Sequence, residues 1–161
     1  MVTTTAIGAA ASVMTDEEVV RRVRAGETAL FEVIMRRYNQ RLFRVTRAIL
    51  GNDGEAEDVT QDAYVRSYLH LDQFEGRAQF STWLTKIAVH EALARLRARR
   101  RLVDIDAPSG SVEDAMNLES NIYAQTGAAT PAAFQFLGAR CDRIVSTVMG
   151  RIHSLKGEAN D

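Results

Sequence analysis

Apolar residues recur every three or four positions through most of the chain, and the points where the recurrence stops divide it into helices. Thr15 followed three residues later by Glu18 spells a capping box; Val19, Val20 and Val23 then lead to Ala25 and Gly26, where the first helix ends. Between Glu27 and Leu50, the residues Phe31, Ile34, Tyr38, Leu42, Val45 and Ile49 share one side. Arg37, Gln40, Arg41, Arg44 and Arg47 fill the other, which predicts a long amphipathic helix. Residues 51–54 spell a turn, and Asn52 with Glu55 again has capping spacing, so a third helix is expected to run to about Leu71. Ala56, Val59, Ala63 and Tyr64 should face its core side, leaving Glu55, Asp58, Gln61, Asp62 and Arg66 outside. A polar loop from Asp72 to Ala78 contains Gly76. A fourth helix begins near Phe80 or Ser81 and continues to about Arg101, with Phe80, Trp83, Leu84, Ile87 and Ala88 as its buried start. Strand-like alternation and internal repeats are absent, and the expected fold is all-α, a compact bundle of about four helices.

Outside this block the period fails. Residues 1–14 are small and polar, which predicts a disordered leader before the helical domain at 15–101. Pro108, Ser109, Gly110, Gly127 and Pro131 punctuate residues 102–133, which predicts an irregular linker with a short helix near 112–118. In the tail, residues 134–161, the period returns. Ile144, Val145, Val148, Met149, Ile152 and Leu155 share a face of a short amphipathic helix from Ala139 to about Leu155. A bare stripe of that kind invites aggregation, so it should dock on the domain or on a partner.

Composition narrows the class of protein. At 161 residues the chain can bury a core. Apolar runs stay well short of the roughly 20 residues a membrane span needs, and the start lacks the flank of a secretory signal, so a cytoplasmic protein without membrane contact is expected. Cys141 is the single cysteine, which excludes an intrachain disulfide and a cysteine-rich zinc site. Catalytic patterns are equally poor. His70, His90 and His153 have no ligand spacing, no glycine-rich phosphate loop or nucleophile elbow occurs, and Glu57 and Asp58 point about 100 degrees apart on a helix. Neither an enzyme nor a cofactor is expected.

The net charge of −1 hides a polarity. Lys86, Arg95, Arg97, Arg99, Arg100 and Arg101 face Glu91 alone within residues 86–101, whereas Asp53, Glu55, Glu57, Asp58 and Asp62 crowd residues 53–62 without a base. A basic helix suits phosphate binding through counterion release, though a solvated helix end with dipole-favoured arginines has the same composition. Geometry favours the first: at about 100 degrees per residue, Lys86, His90, Arg97 and Arg101 fall within a sector of roughly 60 degrees, which could follow a strand of phosphates.

The order of these features resembles the sigma-70 factors of the extracytoplasmic-function (ECF) type. The resemblance covers about Thr15 to Arg101. It rests on Asp16-Glu17-Glu18, Phe31-Glu32, Arg37-Tyr38, the run Glu57-Asp58-Val59-Thr60-Gln61-Asp62, Phe74-Glu75-Gly76 and Phe80-Ser81-Thr82-Trp83-Leu84 with Ile87-Ala88. It implies a bacterial sigma factor whose acidic third helix, with Glu55, Asp58, Gln61 and Asp62, binds the clamp helices of the largest subunit of core RNA polymerase. It also implies that the loop around Phe74, Glu75, Gly76 and Arg77 captures a flipped base of the minus-10 promoter element. Lys86, His90, Arg97 and Arg101 would then contact that DNA, and an anti-sigma factor is a further possible partner. His90 stands where the family leads one to expect asparagine, which changes the donors and acceptors offered to a base. Trp83, at an apolar helix start, fits the core better than a stacking platform. The helix-turn-helix that reads the minus-35 element in full members has no counterpart in residues 102–161, although residues 134–145 resemble the extreme tail of some complete members. The expectation is therefore a sigma factor without its second DNA-binding domain. The alternative is an interaction module that occupies polymerase or titrates an anti-sigma factor without initiating transcription.

Overall fold

The computed structural model describes residues 13–103 and 138–158. Among them are five α-helices and no strand: α1 (Asp16–Arg24), α2 (Phe31–Leu50), α3 (Asp53–Leu69), α4 (Phe80–Val103) and α5 (Gly138–Glu158). The predicted linker segment 104–133, its short helix at 112–118, most of the leader and residues 134–137 lie outside the described residues.

The helix boundaries follow the capping chemistry. Thr15 Oγ1 accepts the Glu18 backbone N–H at 3.2 Å and starts α1; Asn52 Oδ1 accepts that of Glu55 at 2.9 Å and starts α3. Gly51, at φ 69°, closes α2 in the left-handed conformation that an L side chain resists. Two boundaries differ from expectation. The helix expected to reach Leu71 stops at Leu69, and Leu71–Gln73 form a separate 3-10 turn that lets Leu71 turn into the core. The tail helix is longer than its apolar stripe, because polar residues at both ends continue the turn.

Helices α2, α3 and α4 pack on one another, α1 closes one end, and α5 lies against α2 and α3. One hydrophobic cluster joins α1 and the first halves of α2 and α4 to Ile144, Val145, Val148 and Ile152 of α5. A second, formed by Val45, Ile49, Leu50, Val59, Val89, Ala92, Leu93 and Leu96, holds the other end of the bundle. Each fully buried aliphatic side chain contributes about 1.5–3 kcal/mol before entropy is counted, so burial of its stripe is what fixes α5. Leu155, expected on that stripe, is instead exposed near the end of the helix.

Several buried polar groups inside the bundle are matched, although Asn39 Oδ1 and Arg41 Nε find no partner among the described residues. Thr46 Oγ1 and Thr60 Oγ1 lie 3.0 Å apart and each donates toward the Ala56 carbonyl, tying α2 to α3. The Tyr64 hydroxyl donates to the Met35 carbonyl at 3.3 Å, and burial holds its pKa well above the ordinary phenol range. Trp83 is half-buried and packs against the core, its ring centroid 5.5 Å from those of Phe74 and Phe80.

Candidate functional site

Two charged surfaces lie on neighbouring helices. Ala56, Val59, Ala63 and Tyr64 of α3 are buried, which turns most of its carboxylates outward. They are not equally available. Glu55 pairs with Arg99 at 2.8 Å, and Asp62 pairs with Arg95 at 3.6 Å and with Arg151 at 2.8 Å. Asp53 pairs with Arg47, while Glu57 is gripped by Arg143 and Arg140. The Arg143 hydrogen bond holds the Glu57 carboxyl below the ordinary glutamate range, and the Arg47 bond does the same for Asp53. Asp58 is exposed and makes no ion pair among the described residues.

Gln61 corrects the sequence reading. Expected outside, it is only 9% exposed. It follows Glu57 by one turn on the same side of α3, and that is the side on which α5 packs. Neither the sequence period nor the acid run gave notice of a second helix there.

The loop between α3 and α4 has a rigid entrance and an open tip. The Arg24 guanidinium, on α1, donates to the Phe74 carbonyl at 2.6 Å and to the Leu71 carbonyl. Phe74 itself is buried, edge-on to Phe80 at 5.2 Å, so its side chain is part of the core and presents no stacking surface. The apolar ring gains more from the Phe80 and Trp83 cluster than from water. Glu75, Gly76 and Arg77 form the tip. Gly76 has φ 74°, and Glu75 and Arg77 pair at 2.9 Å with both side chains mostly exposed.

Helix α4 divides its cations between two sides. Arg95 and Arg99 turn toward α3, where Arg99 also donates to the Leu50 carbonyl at 3.2 Å. Lys86, His90, Arg97 and Arg101 are exposed, as is Arg100, and none makes an ion pair among the described residues. The structure thus brings the four expected DNA-contacting residues onto one open side of α4, beginning on the helix that the Glu75–Arg77 tip leads into.

Sequence reasoning missed four arginines. Arg24, which anchors the loop, gave no pattern to detect, because its partners are backbone carbonyls 47 and 50 residues away. Arg140, Arg143 and Arg151 are spaced at three and eight residues beside the apolar stripe of α5, a basic flank that complements the acid run of α3. Among the described residues no cluster of His, Cys, Asp and Glu could hold a metal ion, and no helix is long and apolar enough to cross a membrane.

Comparison with known proteins relates part of the chain to a known family. Residues 34–102 match Sigma-70 region 2, a span that holds α3, the loop and nearly all of α4. The ECF RNA polymerase sigma factor SigW of Bacillus subtilis is 31% identical over 105 residues, covering 65% of this chain and 56% of the relative. The ECF RNA polymerase sigma-E factor of Escherichia coli is 34% identical over 109 residues, covering 66% and 54%. The RNA polymerase sigma-H factor of Pseudomonas aeruginosa is 32% identical over 99 residues, covering 61% and 51%. The matched part of the chain spans about half the length of these relatives.

Proposed function

The chain carries a sigma-70 region 2 domain and is homologous to the ECF sigma factors, and from that premise we propose that it serves transcription initiation in the cytoplasm. In this reading it binds core RNA polymerase through α3 and recognises and melts the minus-10 element through the loop and α4. Its work is binding and strand capture, not catalysis.

The observation that carries the reading is the division of charge on α4. Arg95 and Arg99 are spent on Asp62 and Glu55, whereas Lys86, His90, Arg97 and Arg101 stand open beside one another. Unpaired cations on one helix side are the arrangement that gains most from phosphate, since each neutralised phosphate releases counterion. The loop tip, with Glu75, Gly76 and Arg77 exposed, supplies backbone and side-chain hydrogen-bonding groups for an unstacked base; such contacts must offset a few kcal/mol of lost stacking and pairing. On α3, the exposed Asp58 and the partly exposed, arginine-paired Asp62 offer carboxylates to a basic partner helix, with Glu55 beside them and Gln61 beneath. Charged groups at such a rim speed encounter and set register.

Equilibrium binding of a single-stranded minus-10 oligonucleotide, with and without core enzyme, tests the proposal. Core-dependent binding is expected; its absence would remove the strand-capture role. A second reading, an interaction module that occupies polymerase or titrates an anti-sigma factor without initiating, is favoured by one observation: the acidic side of α3 already accepts a basic amphipathic helix, α5. Run-off transcription from a duplex promoter separates the two readings.

A further inference from the structure

Helix α5 sits on part of the surface assigned above to polymerase. Arg143 Nη2 donates to Glu57 Oε2 at 2.8 Å, Arg151 Nη1 to Asp62 Oδ1 at 2.8 Å, and Arg140 reaches both Glu57 and Asp53 at about 3.4–3.5 Å. The Arg140 guanidinium also lies over the Phe43 ring, 4.5 Å from its centroid. Beneath these contacts Ile144, Val145, Val148 and Ile152 are buried, and on α3 so are Gln61 and Val65. The chain thus supplies its own basic helix to the acidic groove.

We propose that α5 is an intramolecular competitor of core polymerase: while docked it covers Glu57, Gln61 and the inner side of Asp62, and core enzyme engages only the molecules in which α5 has left. The proposal rests on the assignment of α3 as the polymerase surface. Three observations support a detachable helix. The cluster at the far end of the bundle contains no α5 residue, so that half of the core does not depend on it. The outer ion pairs are partly exposed, with Arg143 at 56% and Arg151 at 45%, and are of the kind that another cationic helix replaces without loss. Asp58 remains exposed and without an ion pair among the described residues, so an incoming helix has a first foothold before α5 moves. In such an equilibrium the apparent dissociation constant exceeds the intrinsic one by the inverse of the open fraction.

Cys141 provides the reporter. It is half-buried in the docked helix, with the Asn39 amide 3.0 Å from its sulfur, so thiol labelling should be slow while α5 is seated. The experiment uses the full chain and an Arg143→Glu/Arg151→Glu variant, whose exposed substitutions leave the bundle core untouched. A fluorescent maleimide measures Cys141 labelling with and without excess core enzyme, the chains being separated on a gel, and a titration measures core affinity. The proposal expects core enzyme to accelerate labelling of the parent. It also expects the variant to label fast unaided and to bind core about tenfold tighter, the gain if only about a tenth of parent molecules are open. Labelling that core enzyme leaves unchanged or slows would overturn it, as would a fast-labelling variant that binds no tighter, while binding by the parent would leave the α3 assignment standing. If neither protein binds core, that assignment fails and the competition fails with it.

Discussion

The acidic side of α3 and the basic side of α4 carry charge of similar density, yet the fold treats them differently. Asp53, Glu55, Glu57 and Asp62 are each engaged by arginines of α2, α4 or α5, and Asp58 alone of that run is left without an ion pair among the described residues. On α4 the inward arginines are consumed by those same acids, and Lys86, His90, Arg97 and Arg101 are left bare. A run of like charge in a sequence therefore indicates a surface without saying whether it is vacant. The acids form a shared surface, part structural and part available; the exposed cations have no structural employment among the described residues.

The comparison breaks most sharply if the acids do nothing for polymerase. Asp58→Arg with Asp62→Arg should lower core affinity by tenfold or more, about 1.4 kcal/mol per factor of ten, in a direct titration. Asp58→Arg alone should leave the thermal midpoint close to the parent's, because it breaks no ion pair, whereas Asp62→Arg sets a third cation beside Arg95 and Arg151 and should lower it. A comparable effect is expected at the loop entrance. Arg24→Ala removes the donors from the Leu71 and Phe74 carbonyls and should cost about 1–3 kcal/mol in denaturant unfolding, with weaker strand binding in parallel.

The docking of α5 should also depend on pH. The Glu57 carboxyl has its pKa lowered in the fold by Arg143 and then Arg140, so its contribution is present above the ordinary glutamate pKa and is lost as pH falls through the lowered value. Cys141 accessibility, followed by a thiol reagent active in acid, should therefore rise only below the ordinary glutamate range and stay flat from there to neutrality. Accessibility rising near pH 7 would show that another group controls the helix. The smallest effect belongs to the outermost pairs. Glu18→Ala breaks an exposed contact with Arg21 and should leave the thermal midpoint close to the parent's.

Much of the fold was legible in the sequence. The caps at Thr15 and Asn52, the helix-ending Gly51 and the core positions of α2 and α3 follow from local rules that a single sequence carries. The open side of α4 was legible too, since it depends on helical spacing alone. Gln61 was misjudged because its burial depends on a helix about 80 residues further along, and the inward turn of Phe74 was not legible because a polar loop offers no hint of it. The Arg24 anchor binds backbone carbonyls, which no side-chain pattern reports. Local periodicity fixes which side of a helix is polar; it does not say what lies against that side.

The most direct test of the account is the salt dependence of single-stranded minus-10 oligonucleotide binding by the core-bound protein, compared between the parent and Arg97→Ala/Arg101→Ala. Binding should require core enzyme and fall steeply with salt. The variant should bind more weakly, with a log–log slope flatter by about 0.7 for each phosphate it no longer neutralises. A variant slope and affinity equal to the parent's would contradict the assignment of the bare side of α4 to DNA.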